Sequence, residues 1–255
     1  MNAFLAAHLD STFGLLLQLG VALLLTTLFL AARHGGRAGG AGWLWNLVWL
    51  VQAFAISVLV FRFILLPNLD QLLLQDDSVT THLLYRCYGV AKVVFFTLIG
   101  AGAVLLRGPR HQHVFLAVLL GAAVIQGVGM AVLSTDLVRP VGLNAPFAVG
   151  CELLGAWMLL RHGSERGAAG AGLGAVALVA MAAIAVADME IFRPLAPGTV
   201  EGVTGIRLAL HRGNVLLNYN SYIDTAAHLV LATAMLRLIR ASSHPPRQAP
   251  LIPST

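Results

Sequence analysis

Residues 79–106 read VTTHLLYRCYGVAKVVFFTLIGAGAVLL. This mainly apolar stretch is longer than the roughly 20 residues that a helix needs to cross the hydrocarbon core of a bilayer. It also contains Lys92 near its middle and Arg86 closer to its beginning. A charge inside hydrocarbon costs at least ~2.5–3.5 kcal/mol, so such residues usually pair and often mark a function. The stretch therefore predicts a transmembrane helix that carries part of a functional site.

Six further apolar stretches accompany this one, in a chain that is 58% hydrophobic and only 11% charged. Only helices and closed barrels satisfy the backbone in lipid, and the residue alternation of barrel strands is missing here. We predict an all-α membrane protein with one seven-helix transmembrane domain, residues 1–240, and a disordered cytoplasmic tail, residues 241–255. The predicted spans are 12–32, 43–66, 79–106, 114–133, 143–161, 168–187 and 219–239.

The arginines predict how the chain is oriented in the membrane. Nine fall in the tail and in the loops after spans one, three and five, and four fall in the opposite loops. Because basic residues stay on the cytoplasmic side, we expect the N-terminus outside and the C-terminus inside, in a bacterial cytoplasmic membrane. The same topology accounts for the net charge of +5. No basic patch is interleaved with aromatic residues, so we expect no nucleic-acid partner.

Two connections on the predicted outer side are long. Residues 68–80 are acidic and rich in leucine, a pattern that fits a short helix on the membrane surface. Residues 188–218 are long for a connection in a compact domain, and such segments are usually functional or disordered. Within them, residues 202–208 and 214–218 predict a short hairpin or an extracytoplasmic lid between helices six and seven. Such a lid either covers a ligand entrance or caps the bundle without a ligand.

Spans three and seven carry polar residues at overlapping depths. His82 and Arg86 are four residues apart, as are Asp224 and His228, so each pair shares one face of its helix. Two such faces can interlock, and we expect Arg86 to pair with Asp224, with the histidines above and below.

A second polar set lies about half-way through the membrane. Lys92 in span three and Glu152 in span five match in depth and are expected to pair. Tyr85 and Tyr88 share a face of span three with Lys92. Together with the first set they form the predicted buried polar cluster.

Three interpretations of this cluster remain open. Buried ion pairs specify which helices meet, although desolvation makes them poor stabilisers. Alternatively the groups line an outward-facing cavity and respond to a ligand or a proton. In the third interpretation, Lys92, Glu152, Asp224 and His228 form a proton relay. The sequence shows no nucleophile with its base, so we expect no enzyme, and it shows no metal-ligand spacing.

Cofactor chemistry is not indicated by the histidines. A bis-histidine haem needs two ligands at one depth, whereas His82 and His228 differ by about 9 Å if their spans start level. We therefore expect no cofactor, and binding of a pigment through a single histidine stays open.

Span six is rich in glycine and alanine, with Gly170 and Gly174 in GxxxG spacing. Small residues let helix backbones approach closely, and GxxxG also drives association between chains. Tight packing inside the bundle is the more frequent use of this pattern. We expect these two glycines to be helix-packing positions.

Three apolar segments carry a resemblance to a known group of proteins: residues 43–50, residues 88–102 and residues 222–237. They resemble the seven-helix input regions of bacterial membrane signalling proteins, which precede diguanylate cyclase or histidine kinase modules. In those proteins the last span ends in a basic stretch that leads to the output module, and no such module follows Arg240 here. The resemblance implies either a truncated sensor or a stand-alone version that signals through a partner.

From these observations we expect a non-enzymatic membrane sensor that signals or docks through another protein. An accessory subunit of a larger membrane complex, such as one that bears a pigment or cofactor, is the alternative. A proton-linked transporter is the third. The expected partners are the lipid bilayer and either a membrane subunit or a cytoplasmic signalling protein.

Overall fold

The computed structural model describes the backbone at residues 2–34, 40–65, 79–106, 112–134, 138–166, 170–191 and 202–242, and most side chains within those ranges. Within the described residues the chain is helical throughout and contains no strand. The helices are α1 Asn2–His34, α2 Gly40–Val60 continued by a π-helical turn Phe61–Leu65, α3 Val79–Leu106, α4 Gln112–Leu133, α5 Val138–Arg166, α6 Ala171–Ile191 and α7 Gly202–Ser242.

Each of these seven helices contains a segment long and apolar enough to cross a membrane. The prediction of an all-helical protein with seven spans is therefore confirmed for the described part of the chain, and it indicates an integral membrane protein. The outward-facing side chains agree, since Val118 is 67% exposed and Ile125 is 77% exposed on α4. The segments are Thr12–Ala32, Trp43–Leu65, Val79–Leu106, Gln112–Leu133, Pro140–Ser164, Ala171–Met189 and Ser221–Ala241.

The beginning of α7 corrects one prediction. Residues 202–208 and 214–218 are helical, so the hairpin predicted there is wrong. Leucine, alanine and arginine are strong helix formers and occupy most positions between Gly205 and Gly213, which outweighs the glycines that indicated turns. The predicted surface helix, apart from residues 79 and 80 of α3, lies outside the described residues. The same holds for the disordered tail apart from residues 241 and 242, which are helical.

Six helices form a ring, and α4 lies outside it. Around the ring, α1 packs on α2, α2 on α3, α3 on α5, α5 on α6, α6 on α7, and α7 returns to α1. The remaining helix, α4, packs against α3 and α5. Helix α3 is the most buried of the seven spans, which explains how its sequence tolerates polar residues.

One end of the ring is filled by large apolar side chains. Trp45, Trp49, Phe29 and Phe95 are almost completely buried there, among aliphatic side chains from α3, α5, α6 and α7. Gly102 on α3 lets the indole of Trp45 lie directly against the helix backbone, because a Cβ at this position would collide with the indole ring. This end of the bundle is therefore closely packed.

The glycines at the start of α6 pack inside the bundle. A Cβ on Gly174 would come within 2.8 Å of Leu159 on α5 and 3.3 Å of Ala234 on α7. Gly170, in the turn before α6, has a φ of +102° that favours glycine, and its Cβ position lies 2.9 Å from the carbonyl oxygen of Ala234. Close approach between helices is therefore the use that the structure makes of the GxxxG pair.

Candidate functional site

A cavity of about 200 Å³ lies inside the ring, at the end opposite the packed aromatic residues. All six helices of the ring contribute to its wall, and none of the lining residues comes from α4. It combines apolar side chains with an unusual number of polar and ionisable groups. The polar lining residues are Gln18, Tyr88, Lys92, Asn144, Glu152, Asp188, Ser221, Asp224 and His228.

Lys92 projects into this cavity from the middle of α3. Its side chain is 9% exposed, and its Nζ donates a hydrogen bond to Oε1 of Gln52 on α2 at 3.2 Å. Phe95 and Phe96 follow one turn later, so their rings lie on the same side of α3, with centroids 5.2 and 5.8 Å from Nζ. One amide and two aromatic rings thus hold the ammonium group.

Glu152 on α5 lines the same cavity and is 2% exposed. Its Oε2 is buried and has no hydrogen-bond partner among the described residues. The sequence placed Lys92 and Glu152 at one depth, and the structure does bring them to one cavity. No ion pair joins the two within the described part of the chain, because the lysine is bonded to Gln52 instead.

Asp224 and His228 line the cavity from α7. Oδ2 of Asp224 accepts a hydrogen bond from Nε2 of Gln18 on α1 at 3.4 Å. The His228 ring makes edge-on contacts with Trp49 and Phe95, at centroid distances of 5.8 and 5.5 Å. His228 therefore forms the floor of the cavity, above the packed aromatic end of the bundle.

Arg86 and Asp224 are not brought together, contrary to the expected pairing. Arg86 does not line the cavity, and no ion pair joins it to Asp224 in the described ranges. Six residues separate Arg86 from Lys92, which places them about 120° apart around α3 at 3.6 residues per turn. His82 is half-buried and also lies outside the cavity wall.

The two predicted tyrosines have different surroundings. Tyr88 lines the cavity one turn before Lys92. Tyr85 is buried away from the cavity wall, with the Arg62 guanidinium 5.9 Å from its ring centroid. Only Tyr88 therefore belongs to the candidate site.

Sequence reasoning missed the uncharged amides and one carboxylate of the site. Gln18 and Gln52 are uncharged, so inside long apolar runs they gave no signal comparable to the charge of Lys92. Asp188 was assigned to a loop because the predicted span six ended one residue before it, whereas α6 continues to Ile191. Helical spacing relates residues on one helix only, and Gln52 lies on α2 whereas Lys92 lies on α3. Spacing along the sequence therefore could not identify Gln52 as the partner of Lys92.

Asn144 joins three helices beside the cavity. Its Nδ2 donates to the backbone oxygen of Gly89 on α3 at 3.1 Å, and its Oδ1 accepts from Nε2 of Gln126 on α4 at 3.1 Å. These bonds fix α5 against α3 next to Pro146, which removes one backbone donor from the α5 ladder. The position of Glu152 on α5 is thus fixed relative to that of Lys92 on α3.

The composition of the cavity restricts its chemistry. Three carboxyl groups, one amine and one imidazole face the space between the six helices. No group of three histidine, cysteine, aspartate or glutamate side chains within the described residues has the arrangement to hold a metal ion. Such a cavity can hold a small polar ligand or pass protons between its ionisable groups. Comparisons with models of known protein families, with curated proteins and with solved structures found no match.

Proposed function

We propose that this protein is a non-enzymatic membrane sensor that binds a small ligand in the cavity between its helices and signals or docks through a partner protein. The observation that carries the proposal is the cavity itself, whose ionisable residues come from α3, α5, α6 and α7. Polar groups inside a membrane bundle are costly, and they usually serve a site. The resemblance to the input regions of signalling proteins supports the same reading.

The cavity volume limits the ligand to a small molecule. Pockets for drug-sized ligands usually measure about 300–1,000 Å³. This cavity is smaller, at about 200 Å³. An apolar cavity of about 150 Å³ is enough to bind benzene. The ligand is therefore about the size of one aromatic ring with a short substituent.

Helix α7 is the proposed route from the ligand to the partner. Ser221, Asp224 and His228 contact the cavity, and the helix continues without interruption to Ser242. Fourteen residues separate His228 from Ser242, which is about 21 Å along the axis. A ligand that binds better to one position of α7 than to another shifts the balance between them.

This proposal keeps the orientation predicted from the arginines, with the N-terminus outside and the C-terminus in a bacterial cytoplasm. The cavity then lies nearer the outer face, where a ligand enters. The turns of α7 before Ser221 serve as the lid over its mouth. The partner binds on the inner side, where α7 ends.

Filling the cavity tests the proposal. Ala185 on α6 lines the cavity, and Ala183 on the same helix is exposed to lipid. Ala185→Leu should abolish stabilisation by ligands while the protein stays folded, whereas Ala183→Leu should leave it unchanged. The measurement is the shift in thermal unfolding temperature, in lipid nanodiscs, across a set of cationic, neutral and anionic compounds of about ten non-hydrogen atoms or fewer.

The outcomes separate the candidate functions. Ligand-dependent stabilisation that disappears only in Ala185→Leu supports a binding site in the cavity. Stabilisation that survives in both variants places the ligand elsewhere and contradicts the proposal. If no compound binds and proteoliposomes instead show a proton flux that Ala185→Leu blocks, the protein is a proton-linked transporter.

The alternative role as a subunit of a larger complex has lost its most specific support. That support was the small-residue face of span six, and Gly170 and Gly174 are occupied by packing against α5 and α7. A subunit role would require another surface, such as the lipid-exposed side of α4. Recovery of the chain with stoichiometric membrane partners after mild solubilisation would favour it.

A further inference from the structure

We propose that the cavity selects a small organic ammonium ion, a protonated primary amine on a short apolar body, with Glu152 as its principal acceptor. This inference rests on the proposed ligand-binding function and names the class of ligand. It depends on three features of the cavity: its balance of ionisable groups, an acceptor without a donor, and an apolar wall of matching size.

The ionisable groups that face the cavity are mostly acidic. Glu152, Asp188 and Asp224 are carboxyl groups from α5, α6 and α7, whereas Lys92 is the single amine. His228 is enclosed by two aromatic rings, those of Trp49 and Phe95, which it contacts edge-on. The excess of carboxyl groups makes a positively charged ligand more favourable than an anionic one.

Lys92 does not remove this excess. Its ammonium group is bonded to Gln52 and faces the rings of Phe95 and Phe96, so it is held at the α2–α3 side of the cavity. Lys92 therefore leaves Oε2 of Glu152, on the α5 wall, without a hydrogen-bond donor among the described residues.

Glu152 supplies a buried hydrogen-bond acceptor that lacks a donor among the described residues. Its side chain is only 2% exposed, it lines the cavity, and its Oε2 has no hydrogen-bond partner among the described residues. A buried acceptor without a partner costs about 1–3 kcal/mol or more when charged. An N–H donor that enters the cavity removes this cost, and a positive charge on that donor adds electrostatic attraction.

The rest of the cavity wall suits an apolar body. Ile56, Leu59, Met181 and Ile184 contribute aliphatic surface, and Phe96 contributes an aromatic face. A bare inorganic cation would leave this surface against water or empty space. The absence of a metal-binding group of three ligands in the described ranges also argues for an organic cation.

Benzylammonium is a suitable probe because it joins one aromatic ring to one primary ammonium group. Benzyl alcohol has almost the same shape without the charge, and benzoate carries the opposite charge. In titrations of the full-length protein in nanodiscs of zwitterionic lipid at neutral pH, we expect benzylammonium to bind at least tenfold more tightly than benzyl alcohol. Benzoate should show no saturable binding.

A pair of variants assigns the selectivity to one side chain. Glu152→Gln keeps the shape of Glu152 but cannot ionise when a cation enters, so it should weaken benzylammonium binding at least tenfold and leave benzyl alcohol unchanged. Glu165→Gln makes the same change thirteen residues further along α5, about 20 Å away along the axis, and should change neither. If Glu152→Gln does not fold, the three probes on the wild-type protein still decide the selectivity.

The possible failures are distinguishable. If benzyl alcohol or benzoate binds as tightly as benzylammonium, and Ala185→Leu abolishes that binding, the ligand class is wrong and the proposed function stands. If benzylammonium binds equally to wild type and Glu152→Gln, the assignment of Glu152 is overturned. If no probe of any charge binds, both the ligand class and the ligand-binding function are contradicted.

Discussion

The hydrogen bond between Lys92 and Gln52 offers a direct test of whether the buried polar groups serve a site or hold the bundle together. The bond joins α3 to α2 at 3.2 Å, and both side chains are buried. Replacing both residues by apolar ones of similar length, as Lys92→Met with Gln52→Leu, removes the donor and the acceptor together. We expect this double variant to be more stable than the wild type.

The magnitude follows from two opposing contributions. Side-chain hydrogen bonds between transmembrane helices average ~0.6 kcal/mol and reach ~1.7 kcal/mol, and we assign the upper value to this buried bond from an ammonium group. The cost of lysine at the centre of a membrane helix is ~2.5–3.5 kcal/mol. The difference predicts a gain of about 1–2 kcal/mol in the double variant, near the lower end of the range for buried pairs replaced by apolar residues.

The single variants should behave differently from the pair. Gln52→Leu leaves the ammonium of Lys92 with aromatic rings alone and should destabilise the protein by up to about 3–5 kcal/mol. Lys92→Met leaves the Gln52 amide without a partner among the described residues, at a cost of about 1–3 kcal/mol that offsets its gain.

The assay is reversible unfolding in mixed micelles, followed by circular dichroism as the denaturing detergent is increased. Val94→Met, on the lipid-exposed side of α3, is the matched control and should change the free energy of unfolding by less than about 0.5 kcal/mol. A double variant that is less stable than wild type by more than about 1 kcal/mol would refute the reasoning, because the hydrogen-bonded pair would then stabilise the fold.

Two further predictions concern the frame of the site. Gly102→Ala should lower the free energy of unfolding by about 1–3 kcal/mol, because the added Cβ collides with Trp45. The control is Gly121→Ala on α4, where nothing lies within 4 Å of the added Cβ. It should be neutral or stabilising in the same assay. Asn144→Leu should lower it by about 0.6–1.7 kcal/mol through loss of its bond to Gly89, and an unchanged unfolding curve would show that this bond contributes nothing.

The helical spans could be predicted closely because length and hydropathy decide them. The stretch at 79–106 coincides with α3, and the other predicted spans differ from the structure by three residues or fewer at each end. The helices themselves extend beyond these apolar segments, chiefly at the beginning of α1 and at the beginning of α7, where glycines suggested turns and the local helix propensity was underestimated. Hydropathy could not reveal that α7 continues beyond the apolar segment.

The candidate site could be predicted only in part. Depth along each helix follows from residue numbers, and Lys92 and Glu152, predicted at one level, both line the cavity. The rotation of each helix about its axis and the identity of its neighbours do not follow from one sequence, so Arg86 was assigned to Asp224 although it is not among the residues that line the cavity. Gln52 is the partner of Lys92 because α2 packs on α3, and this packing does not follow from the sequence.

The central claim is that the cavity between the six ring helices is a ligand site. Equilibrium dialysis of isotope-labelled benzylammonium against wild type and Ala185→Leu in nanodiscs tests it most directly. The account predicts saturable binding of about one molecule per chain in the wild type and none in Ala185→Leu. Equal uptake by both proteins would contradict it, and so would a wild type that takes up none of benzylammonium, benzyl alcohol and benzoate.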